Sequence, residues 1–364
     1  MRLLYITYKV DAQDSLVGHV VGWVNALASH SEGIEVVCLA AGEAALVENV
    51  RVHSLGERRG SRIARWTLFL QEIWRLRYEV DVVFCQFSPQ YVLAIAPIAK
   101  LCGWPIVFWY THRHVGWQLR LATALVDSVV TAVPESFRLS TSKLRVIGHG
   151  IDTKRFIPEP AARVKPPVVL AVGRRAPIKN YELLIDAAAR LYESLGHGGF
   201  RVRIVGGDEG NAPPDYAAQL ESRIERAGLQ GVVELVGPIP YAQVIREYQR
   251  ASAHVNLCPT GGMDKAVLEG MACGVPTLVR NQAFAALAGS SSGLQLVHRD
   301  DAAFISDQLR KMISKSGEEQ VLLGNALRCA VEQEFRLQQF VLRLVEILRQ
   351  TAQITNNASG QDDL

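Results

Sequence analysis

No stretch of this 364-residue chain supplies the roughly 20 uninterrupted apolar residues a membrane-spanning helix needs. The most apolar segment, YVLAIAPIAKLCGWPIVFWY (91–110), is broken by Pro97, Lys100, Gly103 and Pro105, and reads as a buried helix, a turn and a buried strand. The opening MRLLYITY carries a single early charge before a strand-like run, so no signal peptide is expected. The six cysteines (38, 85, 102, 258, 273 and 329) are scattered, without C-x-x-C or His/Cys ligand spacing. That excludes a disulfide framework and a zinc site, and fits reduced thiols in a cytoplasmic protein. A formal net charge of +3, with the excess confined to the first 150 residues, is too small to point to nucleic acid. A full G-x-G-x-x-G is also missing. The segment IVGGDEG (204–210) falls short of it and comes late in the chain, which places a dinucleotide oxidoreductase last among the readings. No internal repeat or low-complexity region is present.

What the chain does have is alternation. Hydrophobic residues make up 49% and charged residues 21%, as in a well-packed globular protein. Strand-like runs RLLYITY, IEVVCLA, DVVFCQF, PIVFWYT, SVVTAV and LRVIGHG fill the first half; PVVLAVG, RVRIVGG, VVELVG, AHVNLC and PTLVRN fill the second. Helical patterns lie between them, at 17–30, 61–78, 116–126, 179–195, 215–228, 241–251 and 265–273. Continuous apolar strands alternating with helices predict α/β architecture with parallel sheets covered on both faces. Two such series predict two Rossmann-like, doubly wound domains. The expected boundaries are 1–156 for the first, a proline-rich linker at 157–167 (IPEPAARVKPP), and 168–334 for the second. A last helical stretch, roughly 319–352, is expected to send its end, about 335–352, back onto the first domain. A frayed polar tail is expected at 353–364.

In open parallel sheets ligands bind beyond the carboxyl ends of the strands, and several candidates fall there. VGRRAPIKN (172–180) puts Gly173, Arg174 and Lys179 in a loop that opens a helix. Cations beside helix amides suit a diphosphate, although a solvated polar loop has the same composition. In GGMDKAVLEGMACGVP (261–276) a short helix ends at Gly274 with Pro276 beyond. Glu269 stands in it among Ala266, Val267, Leu268, Met271 and Ala272. Two readings stay open: a surface i, i+4 ion pair with Lys265, or a carboxylate that binds a vicinal diol such as a ribose. The loop GPIPY (237–241), with Gly237 and Ile239, follows a strand and reads either as a turn or as a wall for a base. YTHRH (110–114) brings His112 and His114 to the end of a first-half strand. Finally, 57–78 mixes Arg58, Arg59, Arg62 and Arg65 with Trp66, Phe69 and Trp74. Such a helix either packs its aromatic stripe on a sheet or lies on an anionic membrane surface.

Taken in order, HGIDTKRF (149–156), VGRRAPIKN, VELVGPIPY (233–241) and GGMDKAVLEGMACGVP resemble the retaining, nucleotide-sugar-dependent glycosyltransferases of family 4, which have the GT-B fold. The resemblance spans most of the chain and is strongest from about 145 to 280. It implies that Arg174 and Lys179 hold the donor diphosphate, that Glu269 binds the donor ribose, and that His112 sits near the scissile bond. The implied catalytic set is His112, Arg174 and Lys179. The implied donor-binding set adds Gly18, Gly173, Gly237, Ile239, Gly262, Met263, Asp264, Lys265, Ala266 and Glu269. Two departures stand out: Gly261 occupies the place of the family's first motif glutamate, and the first loop, DAQDSLVGH, holds only Gly18 where the family has a glycine pair. The expected partners are a nucleoside-diphosphate sugar, as substrate rather than cofactor, and a glycan or lipid-linked acceptor. No D-x-D-like motif stands out, so transfer without a metal is expected. A non-catalytic nucleotide-sugar-binding protein and a same-fold epimerase are the alternatives.

Overall fold

The computed structural model describes residues 1–56, 61–208, 213, 215–290 and 292–359. Backbone packing divides the chain into two units, Met1–Gly150 with Leu337–Leu364, and Ile151–Arg336.

Among the described residues the first unit is built on seven strands: β1 (Arg2–Val10), β2 (Gly33–Ala41), β3 (Val50–Ser54), β4 (Val82–Gln86), β5 (Ile106–Trp109), β6 (Ser128–Thr131) and β7 (Leu144–Val146). Their order is β3-β2-β1-β4-β5-β6-β7, all parallel. Every residue of β4, β5 and β6 is buried, because helices cover both faces of the sheet. The covering helices are α1 (His19–Ala28), α2 (Arg62–Arg75), α3 (Pro89–Cys102) and α4 (Trp117–Leu125). Their ends follow local chemistry. Ser61 caps α2 by accepting from the Ala64 N–H, while α3 starts with Pro89 in its first turn and stops at Gly103 in the left-handed conformation.

The described residues of the second unit form six parallel strands: β8 (Val168–Val172), β9 (Arg201–Val205), β10 (Val233–Gly237), β11 (Ala253–Asn256), β12 (Thr277–Val279) and β13 (Leu294–Leu296). Their order is β10-β9-β8-β11-β12-β13. Its helices are α5 (Tyr181–Leu195), α6 (Tyr216–Arg226), α7 (Tyr241–Arg250), α8 (Lys265–Ala272), α9 (Ala285–Ser290), α10 (Ala302–Ile313) and α11 (Gly317–Glu334). A capping box opens α11, with Ser316 and Glu319 each bonding the other's backbone. In both sheets the strand order reverses beside the first strand, between β1 and β4 and between β8 and β11. These are the switch points at which doubly wound sheets open a crevice.

Three details depart from the sequence expectations. The divide falls at Gly150/Ile151, so 157–167 lies inside the second unit, where Pro160–Ala162 forms a single 3₁₀ turn. The Ile151 N–H bonds the Phe335 carbonyl and Ile151 bridges Arg336, so the chain leaves and re-enters the second unit side by side. That extended bridge also splits the expected 319–352 helix into α11 and α12 (Leu337–Ser359). Leu337, Phe340, Val341, Leu344, Val345 and Leu348 of α12 complete the first unit's core, where the Phe340 ring lies 4.2 Å from Trp23 and 5.4 Å from Trp109. The expected frayed tail is instead helical as far as Ser359, and its remainder, 360–364, lies outside the described residues.

Candidate active site

The second unit's switch point collects most of the candidate residues. β8 runs into Gly173, Arg174 and a 3₁₀ turn at Pro177–Lys179, and α5 follows from Asn180, which is left-handed at φ 59°. Arg174 is exposed, whereas the Lys179 side chain retains only 15% of its exposure. Glycine is required at 173 because φ is +156° and a Cβ there would come within 3.1 Å of Lys179 Cε and 3.2 Å of the Tyr181 hydroxyl. The loops after β8, β9 and β10 lie side by side: the Gly173 N–H bonds the Val205 carbonyl, Arg175 N–H bonds Gly207, and Gly206 N–H bonds Gly237. Gly237 and the half-buried Ile239 therefore edge the same row of loops. Of the expected turn IVGGDEG, residues 209 and 210 lie outside the described residues.

From the other side, β11 ends at Asn256 and the chain passes through Gly261, Gly262 and the buried Met263 to Asp264, the N-cap of α8. Buried Asn281 ties this loop down, its amide donating to the Gly261 and Gly262 carbonyls at 3.3 and 2.9 Å. Gly261 has φ +117°, a conformation that residues with side chains rarely adopt, so a glutamate cannot stand here without a change of backbone. Asp264 accepts from the Ala266 N–H at 3.3 Å and the Asn256 amide at 2.9 Å, and forms an ion pair with Lys179. Burial works against both charges. The pair outweighs it, raising the Lys179 pKa and holding the Asp264 carboxyl well below the usual carboxylate range.

Glu269 lies one turn into α8 and is 3% exposed, so the surface ion pair is corrected to a buried one. Lys265 Nζ lies 3.0 Å from its Oε1, and the Tyr241 hydroxyl donates to the same oxygen at 2.7 Å. Neither contact uses Oε2. The Lys265 ammonium also lies over the Tyr241 ring, 4.5 Å from its centroid, with the Arg155 guanidinium at 5.4 Å. Burial first, and then the Glu269 charge, push the Tyr241 hydroxyl pKa well up, so it remains a donor. Tyr241 was missed at the sequence level: it opens α7, 28 residues away, and no local spacing pairs it with Glu269. Arg328 of α11 closes the other end of α8 by donating to the Ala272 carbonyl at 2.9 Å.

Beneath α8, His254 of β11 is fully buried, and both ring nitrogens lack a hydrogen-bond partner. Burial lowers its pKa from 6.5 to about 4. The unfolded chain therefore takes up a proton that the folded one refuses. This contribution to stability is fully present above about pH 6.5 and is lost as pH falls toward 4, roughly 3 kcal/mol in all. Equilibrium denaturation of wild type and His254→Leu between pH 4 and 7 is expected to give a flatter dependence for the variant. Equal slopes would exclude His254 as the source. Asp264, with its depressed pKa, titrates below this window.

The first unit carries the other candidates, also at strand carboxyl ends. Gly18 is buried at the start of α1, in a loop organised by Asp14, which accepts from the Leu16 and Val17 N–H groups at 2.9 Å and pairs with Lys9. His112 follows β5 and is exposed, its ring 5.5 Å from that of Tyr110. In the 57–78 segment, residues 57–60, including Arg58 and Arg59, lie outside the described residues. The aromatic stripe of α2 is divided: Phe69 is buried beside Ile73 and Trp66 packs against Phe69 and Tyr91, while Trp74 faces outward with Ile63, Leu68, Leu70 and, beyond the helix, Tyr78. Among the described residues no helix is long and apolar enough to cross a membrane.

Comparison with known proteins bears on this arrangement. Residues 152–326 match the family model described as Glycosyl transferases group 1. The chain is 26% identical over 309 residues to a GDP-mannose-dependent alpha-(1-6)-phosphatidylinositol monomannoside mannosyltransferase of Mycobacterium tuberculosis, covering 76% of this chain and 78% of that one. It is 32% identical over 149 residues to a D-inositol 3-phosphate glycosyltransferase of Kribbella flavida, covering 38% and 34%. Among solved structures, Anabaena HepE in complex with UDP and glucose superposes with a TM-score of 0.76 at 16% identity, covering 96% of this chain and 99% of that one. Sucrose-phosphate synthase of Thermosynechococcus elongatus gives 0.77 at 17% identity, covering 96% and 98%. Two Rossmann-like parallel-sheet units of this kind are the GT-B architecture. The group 1 match lies within the second unit, and together with the named mannosyltransferase and inositol 3-phosphate glycosyltransferase relatives it supports a nucleotide-sugar-dependent glycosyltransferase.

Proposed function

We propose that this glycosyltransferase is retaining and metal-independent, and moves a sugar from a nucleoside-diphosphate sugar to a glycan or lipid-linked acceptor. The observation that carries the reading is the grouping at one switch point of exposed Arg174, Lys179 above Gly173, and a buried Glu269 whose Oε2 is left out of both its contacts. Arg174 and Lys179 would neutralise the departing diphosphate, the electrostatic task a divalent cation performs elsewhere. Glu269 Oε2 would accept from the donor ribose, and the loop at Gly237 and Ile239 would flank the base. His112 would hydrogen-bond the donor sugar near the bond that breaks. The acceptor would then attack from the face the leaving group vacates, preserving the anomeric configuration.

The donor base is best sought among both UDP and GDP sugars, since HepE is seen with UDP and the mycobacterial mannosyltransferase is named as GDP-mannose-dependent. The test is a donor and acceptor panel with chelator present and the product configuration read by NMR. An inverted product, or transfer that stops with chelator and returns with a divalent cation, would overturn the reading. We extend it to a cytoplasmic enzyme that touches a membrane surface through 57–78, because Ile63 is 78% exposed and the exposed Trp74 and Tyr78 rings both lie under Arg77. Co-sedimentation with anionic but not neutral vesicles is expected, and weakened by Ile63→Ser with Trp74→Ser. Equal recovery with and without vesicles would count against the contact.

A further inference from the structure

Lys179, to which the reading above gives the donor diphosphate, is already engaged. Its stem crosses Gly173 so closely that a Cβ there would lie 3.3 Å from Nζ, and its ammonium is ion-paired with Asp264 Oδ2. The same oxygen accepts from the Asn256 amide at 2.9 Å, and Oδ1 accepts from the Ala266 N–H at 3.3 Å. One carboxylate thus collects an ammonium from the loop after β8, an amide from the end of β11 and an N–H from the first turn of α8. An ammonium and a helix-terminal amide are what a phosphate oxygen would require of the same place. The pair is also sheltered, with side-chain exposures of 15% and 24%, so water screens it less than a surface pair.

We propose that Asp264 is an internal competitor for the donor diphosphate, holding Lys179 and the start of α8 until the diphosphate displaces it. The inference rests on the donor reading given above and goes beyond it, because it makes Asp264 a determinant of donor affinity that opposes binding. It also distinguishes Asp264 from a residue that merely orients Lys179. An orienting carboxylate would stay paired in the complex, and its removal would weaken binding. A competing one has to leave, and its removal tightens binding.

The experiment is isothermal titration of wild type and Asp264→Asn with UDP and GDP, and with uridine and guanosine. Asparagine keeps the shape, and as an N-cap it still accepts from the Ala266 N–H. The expected result is at least tenfold tighter binding of the nucleoside diphosphate by Asp264→Asn, with nucleoside affinity unchanged within about twofold. Should Asp264→Asn fail to fold, as judged by its melting curve, Asp264→Ser removes the charge while keeping a capping oxygen. Diphosphate binding that is unchanged or weaker overturns the inference, as does an equal gain for nucleoside and diphosphate, which would mean a general loosening of the loop. Both of those results leave the donor reading standing, since wild type still binds. If neither protein binds any of the four compounds, the donor reading and the inference fail together.

Discussion

Arg174→Ala is expected to lower sugar transfer by about one to three orders of magnitude, as removal of one preorganised charge at a developing anion does in other enzymes. Its fold should be untouched. Arg174 is exposed in the loop that leaves β8, the strand at the sheet's switch point, and surface substitutions of this kind usually change stability by no more than about 0.5 kcal/mol. That separation is the value of the position. Lys179 has the same proposed role, but replacing it would strand the Asp264 carboxylate in a sheltered site and confuse stability with catalysis. Turnover with the best donor of the panel, measured beside a melting curve, decides the matter. Arg174→Lys should recover part of the rate, because charge returns without the planar two-pronged contact that guanidinium makes with phosphate. Wild-type turnover in Arg174→Ala would remove Arg174 from the site.

Much of this was legible from residue order, for identifiable reasons. Runs such as VVFCQ and IVFW are buried on both faces, so they appear in the sequence as unbroken apolar segments and announce a parallel sheet. The loops after β8 and β11 were readable because glycines and charges follow those runs directly. Short edge elements were not. β3 is only partly buried and β13 is three residues long, and neither has the continuous apolar run that marks a central strand. The prolines of 157–167 mark a boundary by composition, yet a divide set by packing falls where Ile151 meets Arg336, a pairing 185 positions apart that no local composition records. Partners across space were lost for the same reason. Asp264 was recognisable as part of a motif, but its pairing with Lys179 joins positions 85 residues apart.

Glu269 shows how a local rule and a distant contact combine, and its replacement should have the largest effect on stability. Lys265 and Glu269 do form the i, i+4 pair that spacing suggests, but inside the unit, where Tyr241 adds a hydroxyl. Glu269→Ala strips the carboxylate and leaves a Lys265 ammonium, 19% exposed, and a buried Tyr241 hydroxyl without their acceptor. Breaking a buried pair from one side typically costs about 3–5 kcal/mol, and a drop of that size in the free energy of unfolding is expected in denaturant titrations. Glu269→Gln separates structure from binding. Its carbonyl oxygen can still accept from Tyr241, so it should keep more of the stability than alanine does. What it loses is the charged oxygen proposed for the ribose, and a hydrogen bond to a charged group contributes about 1.5–3 kcal/mol, or roughly 10- to 100-fold in nucleotide affinity. The deciding comparison is ribose against deoxyribose. Wild type should favour the nucleotide with intact ribose hydroxyls over its deoxy analogues, and Glu269→Gln should erase that preference while leaving the weaker deoxy affinity in place. If the preference survives in a folded Glu269→Gln, another group reads the ribose, and the carboxylate serves only to hold Tyr241 and Lys265 together at the base of α8.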